Sequence, residues 1–400
     1  MAIGQASGAF VGRYDPATGN PIWETQLPPS RDGQSNHAVA LTDSGKVAVL
    51  SLINPRGLAQ LIPQVSVLDL KDGKVLWQHK FAATAFPSAQ FTTRWGIAVD
   101  KRGRFVAVTG FAKDATGQQA IWVSKLDVAS GAMVWSQSLN PNQGKANAGS
   151  FVAFDGQGDV LVAGGIGVRN PHYFVGKFAG SDGVLKWSNT YVGPSNYYDE
   201  ARAMTVDKRG NVIVGGMSPS ADLKANWHLA AFNGADGKLL WETRETGVGG
   251  VIGSLEALTA DSHGDVLATG AVFPSAGAKR AITTAKYDGQ TGKLKWGYAR
   301  PTGNDKSAEG KTITLDKCGH AFIAGTLDLG RGYDVAIFSL DGTTGQPRWE
   351  HVYDSEFHAT DRIAWPNNIV AGPEHRITIS ADSWNPRTPN LNLVQYQEKR

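Results

Sequence analysis

Along most of the chain, short apolar stretches alternate with breaks that carry glycine and aspartate. Two kinds of hairpin recur. In the first, an alternating segment such as Ile282-Thr283-Thr284-Ala285-Lys286-Tyr287 leads into Asp-x-x-x-Gly, and the strand that follows carries a tryptophan. Aspartate accepts hydrogen bonds from nearby backbone amides and glycine supplies a positive φ, so the segment predicts a tight turn between antiparallel strands. In the second, two mainly apolar strands flank Asp-x-x-Gly, as in Met204–Gly216 around Asp207 and Gly210. The same arrangement surrounds Asp100/Gly103, Asp155/Gly158, Asp261/Gly264 and Asp316/Gly319, with a shortened form at Asp43-Ser44-Gly45 and a degenerate one at Gly372–His375. Strands that are apolar at most positions are expected to be buried on both faces.

The tryptophans of the first hairpin stand at positions 23, 77, 135, 187, 241, 296 and 349, 52–58 residues apart. Each period holds two inner and two outer strands, which makes one four-stranded antiparallel sheet. Seven such sheets arranged radially leave only short edges. The fold class is therefore all-β, a seven-bladed β-propeller in one domain over residues 1–400. The seven tryptophans are read as packing residues that seal each blade against the next. The N-terminus begins in the outer half of a repeat and the C-terminus ends with an inner half, so both segments are expected to close the ring in one blade. Both Phe10–Tyr14 and Leu391–Tyr396 read as the third strand of that blade. One of the two is expected to be displaced, or to mark a lost upstream segment.

Forty-eight glycines and eighteen prolines agree with a turn-rich all-β chain. The net charge of +3 is spread without a basic stripe, which argues against nucleic acid as a partner. No apolar run approaches the ~20 residues that span a bilayer, and a monomer is expected. The start, Met1-Ala2-Ile3-Gly4-Gln5, lacks the features of a signal peptide. This leaves two readings open: a cytoplasmic protein, or one whose leader has been removed. The single cysteine, Cys318, lies in the turn Asp316-Lys317-Cys318-Gly319 and is read as a surface thiol rather than a nucleophile.

At these motifs the chain resembles two bacterial repeat families. The Asp-x-x-Thr-Gly-x-x-x-Trp element, as in Asp15–Trp23, is similar to the tryptophan docking repeat of pyrroloquinoline-quinone enzymes. The stretch Asp199-Glu200-Ala201-Arg202-Ala203-Met204, followed by Asp207, Gly210-Asn211 and Gly215-Gly216, resembles the secreted bacterial propeller repeats called SBBP. The resemblance covers nearly the whole chain and implies a periplasmic or extracellular location. Quinone-dependent dehydrogenases have eight blades and a vicinal cysteine pair beside the cofactor. Seven repeats and one cysteine depart from that pattern, so no quinone cofactor is expected.

In a propeller the inner strands begin around the mouth of a central channel. Aligning the repeats on Asp-x-x-Gly places Asn36, His37, Arg94, Trp95, Asn147, Ser150, Glu200, Arg202, Glu256, Glu309, Lys311, Trp365 and Asn367 there. Charges mixed with tryptophan suit a sugar-like or carboxylated ligand, or a protein partner. The competing reading is that the charges pair with one another and close the channel. Glu200, Glu256 and Glu309 could hold Ca²⁺, or serve with His37 as acid and base. Arg202 and Lys311, each two residues from a glutamate on the same strand face, make ion pairing the simpler reading. The nine histidines show no zinc-ligand spacing. Long connections at 80–93 and 350–361, with Phe86, Phe91, Tyr353 and Phe357, and the pair Tyr197-Tyr198 would ring the entrance. Two functions follow: a binding module for a polar ligand or protein, or a hydrolase or lyase with its acid and base among those glutamates and His37. In the second, Arg94 or Arg202 would stabilise developing negative charge.

Overall fold

The computed structural model describes residues 2–4, 10–14, 20–27, 33–54, 60–82, 84–85, 95–141, 147–167, 171–221, 226–244, 252–273, 278–301, 303, 307–330, 333–353, 364–371, 376–383 and 390–397. Every regular element among them is a β-strand. The N-terminal sheet is β1 (Ala2–Gly4), β2 (Phe10–Tyr14) and β3 (Pro21–Gln26). The next is β4 (Gly33–Leu41), β5 (Lys46–Asn54), β6 (Gln60–Asp69) and β7 (Val75–Lys80), with short β8 (Thr84–Ala85) beside β6. Then come β9 (Gly96–Val99), β10 (Phe105–Lys113), β11 (Gln119–Asp127) and β12 (Met133–Leu139), and β13 (Asn147–Phe154), β14 (Val160–Ile166), β15 (His172–Phe178) and β16 (Leu185–Tyr191). These are followed by β17 (Glu200–Val206), β18 (Val212–Met217), β19 (Trp227–Phe232) and β20 (Leu239–Thr243), and by β21 (Ile252–Ala260), β22 (Val266–Phe273), β23 (Ala281–Tyr287) and β24 (Leu294–Ala299). The last complete sheet is β25 (Ser307–Leu315), β26 (Ala321–Asp328), β27 (Tyr333–Leu340) and β28 (Pro347–Tyr353), and β29 (Ala364–Ala371), β30 (Arg376–Ser383) and β31 (Asn390–Gln397) end the chain.

Each sheet pairs its strands in chain order, which makes it an antiparallel meander. The seven repeats are the seven blades of a β-propeller. Six are complete, and the chain ends form two further three-stranded sheets, β1–β3 and β29–β31. Phe10–Tyr14 and Asn390–Gln397 do not compete for one place: each pairs within its own three-stranded sheet. Two compact units are distinguished, residues 1–15, 20–201 and 234–237 in the first and 202–233 and 238–400 in the second. The separated segment 234–237 has a local cause, since this outer turn packs under Trp187 of the preceding blade.

Burial follows the apolar pattern. The two middle strands of a blade are buried almost throughout, as in β22 and β23, while the fourth strands bury little beyond the tryptophan. The turn chemistry is as the sequence predicts. Asp127 Oδ1 accepts the amides of Ala129 (3.0 Å) and Ser130 (2.8 Å), and in the inner turn Asp155 Oδ1 accepts those of Gln157 (2.8 Å) and Asp159 (3.0 Å).

Six of the seven repeat tryptophans dock on the outer turn of the next blade. The indole N–H donates to a backbone carbonyl: Trp23 to Leu70 (3.0 Å), Trp77 to Val128 (2.8 Å), Trp135 to Gly180 (3.2 Å), Trp187 to Gly234 (3.2 Å), Trp241 to Gly289 (3.1 Å) and Trp296 to Gly342 (3.3 Å). The ring then lies flat on the glycine that closes that turn. At Gly292 (φ +69°) a Cβ would come within 2.5 Å of the Trp241 ring, whereas at Gly210 (φ +85°) it would meet nothing. Both positions carry the backbone strain of a left-handed residue, but only the first adds a clash. Gly292→Ala is therefore expected to destabilise by about 1–3 kcal/mol, and by more than Gly210→Ala, as read from the two melting temperatures. Equal losses would show that the indole contact is slack.

Candidate binding site on the innermost strands

The first strand of several blades carries one extra residue at a fixed position. The pairing shifts between Asn36 and Ala38, Gly149 and Phe151, Leu255 and Ala257, Gly310 and Thr312, and Pro366 and Asn368. The extra residues are His37, Ser150, Glu256, Lys311 and Asn367. A β-bulge re-aims the side chain that it inserts and is common beside functional sites. Opposite three of these bulges stand glycines of the second strand. A Cβ on Gly164, Gly270 or Gly325 would run into the carbonyl oxygen of Ala148, Ser254 or Glu309. The glycine-rich ends of the second strands are thus a requirement of the bulge.

In the second unit the residues around these bulges form a chain of charges. Arg202 Nη1 pairs with Glu256 Oε1, and the Glu256 side chain is buried. Two residues earlier on the same strand, the Ser254 hydroxyl donates to Glu309 Oε1 (3.2 Å). Arg280 Nη2 donates to both Ser254 Oγ (2.7 Å) and Glu309 Oε1 (2.8 Å), and Lys311 Nζ donates to Glu309 Oε2 (2.6 Å). Burial pushes the Glu309 carboxyl up, but the charges of Lys311 and Arg280 more than offset it and hold its pKa below the usual glutamate value. Glu309 is therefore ionised at neutral pH.

The expected pair of Lys311 with Glu309 is present. Arg202, by contrast, reaches Glu256 on the innermost strand of the following sheet. Glu200 accepts a hydrogen bond from the Tyr198 hydroxyl (2.8 Å). Arg280, from the segment before β23, was not legible as a site residue, because it lies outside the register of the inner strands.

The first unit uses several expected site residues for packing. Trp95 is buried in the core of its blade, tilted against Phe111 (4.8 Å between ring centroids) and Trp122 (6.0 Å). It sits there because β9 begins only at Gly96 and because Gly110, lacking a Cβ, leaves room for the indole. This corrects the expectation that Trp95 offers a face to a ligand. Asn147 is fully buried, donates to Asn140 Oδ1 (2.7 Å) and ties its blade to Gln119 of the preceding one. Ser150 is half-buried. Asp199, buried one residue before Glu200, lies 2.8 Å from His172 Nδ1 and accepts the Gly193 amide (2.9 Å), which pins the segment that carries Tyr197 and Tyr198. Tyr197 itself is exposed. For Asn36, His37, Trp365 and Asn367 the structure describes the strand but not the side chain. Arg94, Phe86, Phe91 and Phe357, and the side chain of Tyr353, lie outside the described residues.

Comparison with known proteins follows the docked tryptophans. The family described as outer membrane protein assembly factor BamB matches residues 7–86, 119–270 and 228–381. The chain belongs to the BamB family. Among solved structures, BamB from Moraxella catarrhalis is 16% identical, with 95% of this chain and 87% of that one covered and a TM-score of 0.50. The quinohemoprotein alcohol dehydrogenase from Comamonas testosteroni is 13% identical over 95% of this chain and 68% of its own, at a TM-score of 0.56. A polysaccharide lyase of family PL25, an ulvan lyase, is 8% identical, with coverages of 89% and 90% and a TM-score of 0.51. At such identities these likenesses show the propeller fold alone. No curated protein matches the sequence. Among the described residues of this BamB-family chain, no helix is long and apolar enough to cross a membrane.

Proposed function

We propose that this BamB-family propeller is a non-catalytic binding module, acting outside the inner membrane as a monomer, that recognises a carboxylate-bearing group on a sugar or a protein partner through Arg280 and Lys311. The state of Glu309 carries the reading. A general acid needs a carboxyl pushed up toward neutral pH, and Glu309 is displaced the other way. What Glu309 does instead is hold two cations in fixed positions. Arg280 spends Nη2 on Ser254 and Glu309, and its side chain is still 30% exposed. A guanidinium has five N–H donors, so this one can meet an incoming carboxylate without first being ordered, which lowers the cost of binding.

Thermal denaturation with sodium glucuronate and with a glutamate-rich peptide tests the proposal. A ligand that binds only the folded state at about a hundred times its Kd adds about 2.7 kcal/mol of stability. Saturable stabilisation of the wild type, lost in Arg280→Gln and in Lys311→Gln, is the expected result. Turnover of a uronate polysaccharide that is abolished by Glu309→Gln would replace this reading with the lyase one.

A further inference from the structure

We propose that the turn between β25 and β26, Asp316-Lys317-Cys318-Gly319-His320, is a site for a thiophilic divalent cation of the zinc class. A carboxylate oxygen of Asp316, the Cys318 sulfur and a ring nitrogen of His320 lie within 4.8 Å of one another. Cys318 is exposed, and Asp316 and His320 are partly buried. A tetrahedral zinc with bonds of about 2.0–2.3 Å needs only a small closing of these three groups, which an exposed cysteine side chain can supply by rotation. A thiolate, an imidazole and a carboxylate together favour zinc over calcium or magnesium, which take oxygen ligands. The ion replaces the thiol proton, and water completes the fourth position.

A second observation comes from two other blades, β13–β16 and β21–β24, where the same place holds a lysine ammonium. Lys177 on β15 reaches Asp155 (2.7 Å) and Asp159 (3.3 Å) of its inner turn, and Lys286 on β23 reaches Asp261 (2.9 Å) and Asp265 (3.4 Å). Each lysine is paired in register with the blade's docking tryptophan, Lys177 with Trp187 and Lys286 with Trp296. In the blade of β25–β28 the residue paired with Trp349 is Ser339. Its side chain is too short to reach the turn. The Ser339 hydroxyl is fully buried and meets no hydrogen-bond partner among the described residues. Where the other two turns have aspartate at the fourth position after the first, this one has His320, and the second position is Cys318.

The arrangement already holds two of the ligands in place. Asp316 Oδ1 accepts the amides of Cys318 and His320 (both 2.9 Å), and Oδ2 lies 2.9 Å from His320 Nδ1. The inner turns around Asp100 and Asp207 carry Arg102 and Arg104, and Arg209 and Asn211, at the matching positions and no thiol, so the donor set belongs to this blade.

Titration of the chelator-treated full chain with Co²⁺ tests the site. One equivalent is expected to give a near-ultraviolet thiolate-to-cobalt band and visible bands of a tetrahedral ion, both displaced by Zn²⁺. Cys318→Ser should abolish the near-ultraviolet band, and His320→Ala should weaken binding at least tenfold. His263→Ala, at the matching turn of the preceding blade, should leave the spectrum unchanged. Cys318 is exposed at a turn, so its serine variant is expected to keep the wild-type melting temperature. Absence of the near-ultraviolet band, or its persistence in Cys318→Ser, would overturn the proposal.

Discussion

Replacing Trp241 by alanine is expected to cost about 3–5 kcal/mol of stability, the range for removing a buried tryptophan. The indole is 7% exposed and belongs to a cluster with Leu229, Ala231, Leu255, Val266 and Tyr287. Its ring covers Gly292, and its N–H satisfies the Gly289 carbonyl at 3.1 Å. Alanine leaves both a cavity between two blades and a carbonyl without its donor. Phenylalanine separates the two effects. It keeps most of the apolar contact and gives up the hydrogen bond, for which about 1 kcal/mol is expected. Denaturant titration followed by circular dichroism measures both. Because Trp135 packs in a separate cluster and donates to a different carbonyl, the Trp135→Ala and Trp241→Ala losses should add in the double variant. A loss below 1 kcal/mol for Trp241→Ala would mean that the docking contact does not hold the blades together.

The scaffold was legible because each repeat writes its own turn. Aspartate and glycine fix where the chain reverses, and the tryptophan that follows marks the outer strand. The bulges were not legible. One extra residue in a short strand leaves the apolar pattern readable in either register, so Glu256 and Lys311 could be found by alignment but not recognised as inserted residues. Gly164, Gly270 and Gly325 carried the missing signal, since glycine in a strand marks a bulge or a close backbone approach. The partner of Arg202 was also out of reach. Residues two apart on one strand face are visible in a sequence, but the first strand of one sheet meets that of the next across more than fifty positions. Trp95 shows the opposite failure, where the repeat register was right and the strand started one residue later.

Lys286→Met is expected to destabilise the chain by about 3–5 kcal/mol near pH 7, because it strands the buried Asp261 carboxylate without its lysine counter-ion, whereas Asp265 keeps Lys295 (2.7 Å). Lys286 Nζ lies 2.9 Å from Asp261 and 3.4 Å from Asp265, and it donates to the Gly342 carbonyl (3.0 Å) that also receives the Trp296 indole. Burial alone would raise the Asp261 carboxyl, but the hydrogen bond and charge of Lys286 and the turn amides hold it below its ordinary value. A carboxyl lowered in the folded state adds stability above its unfolded pKa of about 3.9 and loses it as the pH falls through the folded value. Methionine removes the lysine's share of the lowering and leaves only the turn amides against burial, so Asp261 is raised relative to the wild type and the penalty is largest where it must stay charged. The gap between wild type and variant should therefore narrow from pH 7 to pH 4, as protonation relieves the variant first. Adding Asp261→Asn to Lys286→Met should recover part of the loss at pH 7, because the amide keeps an oxygen for the turn amides of His263 and Asp265 and carries no charge. Denaturant midpoints at the two pH values measure this. A gap that stays constant would place the cost in lost packing of the lysine stem, and the Asp261 carboxylate would then be stable in the blade without Lys286 beside it.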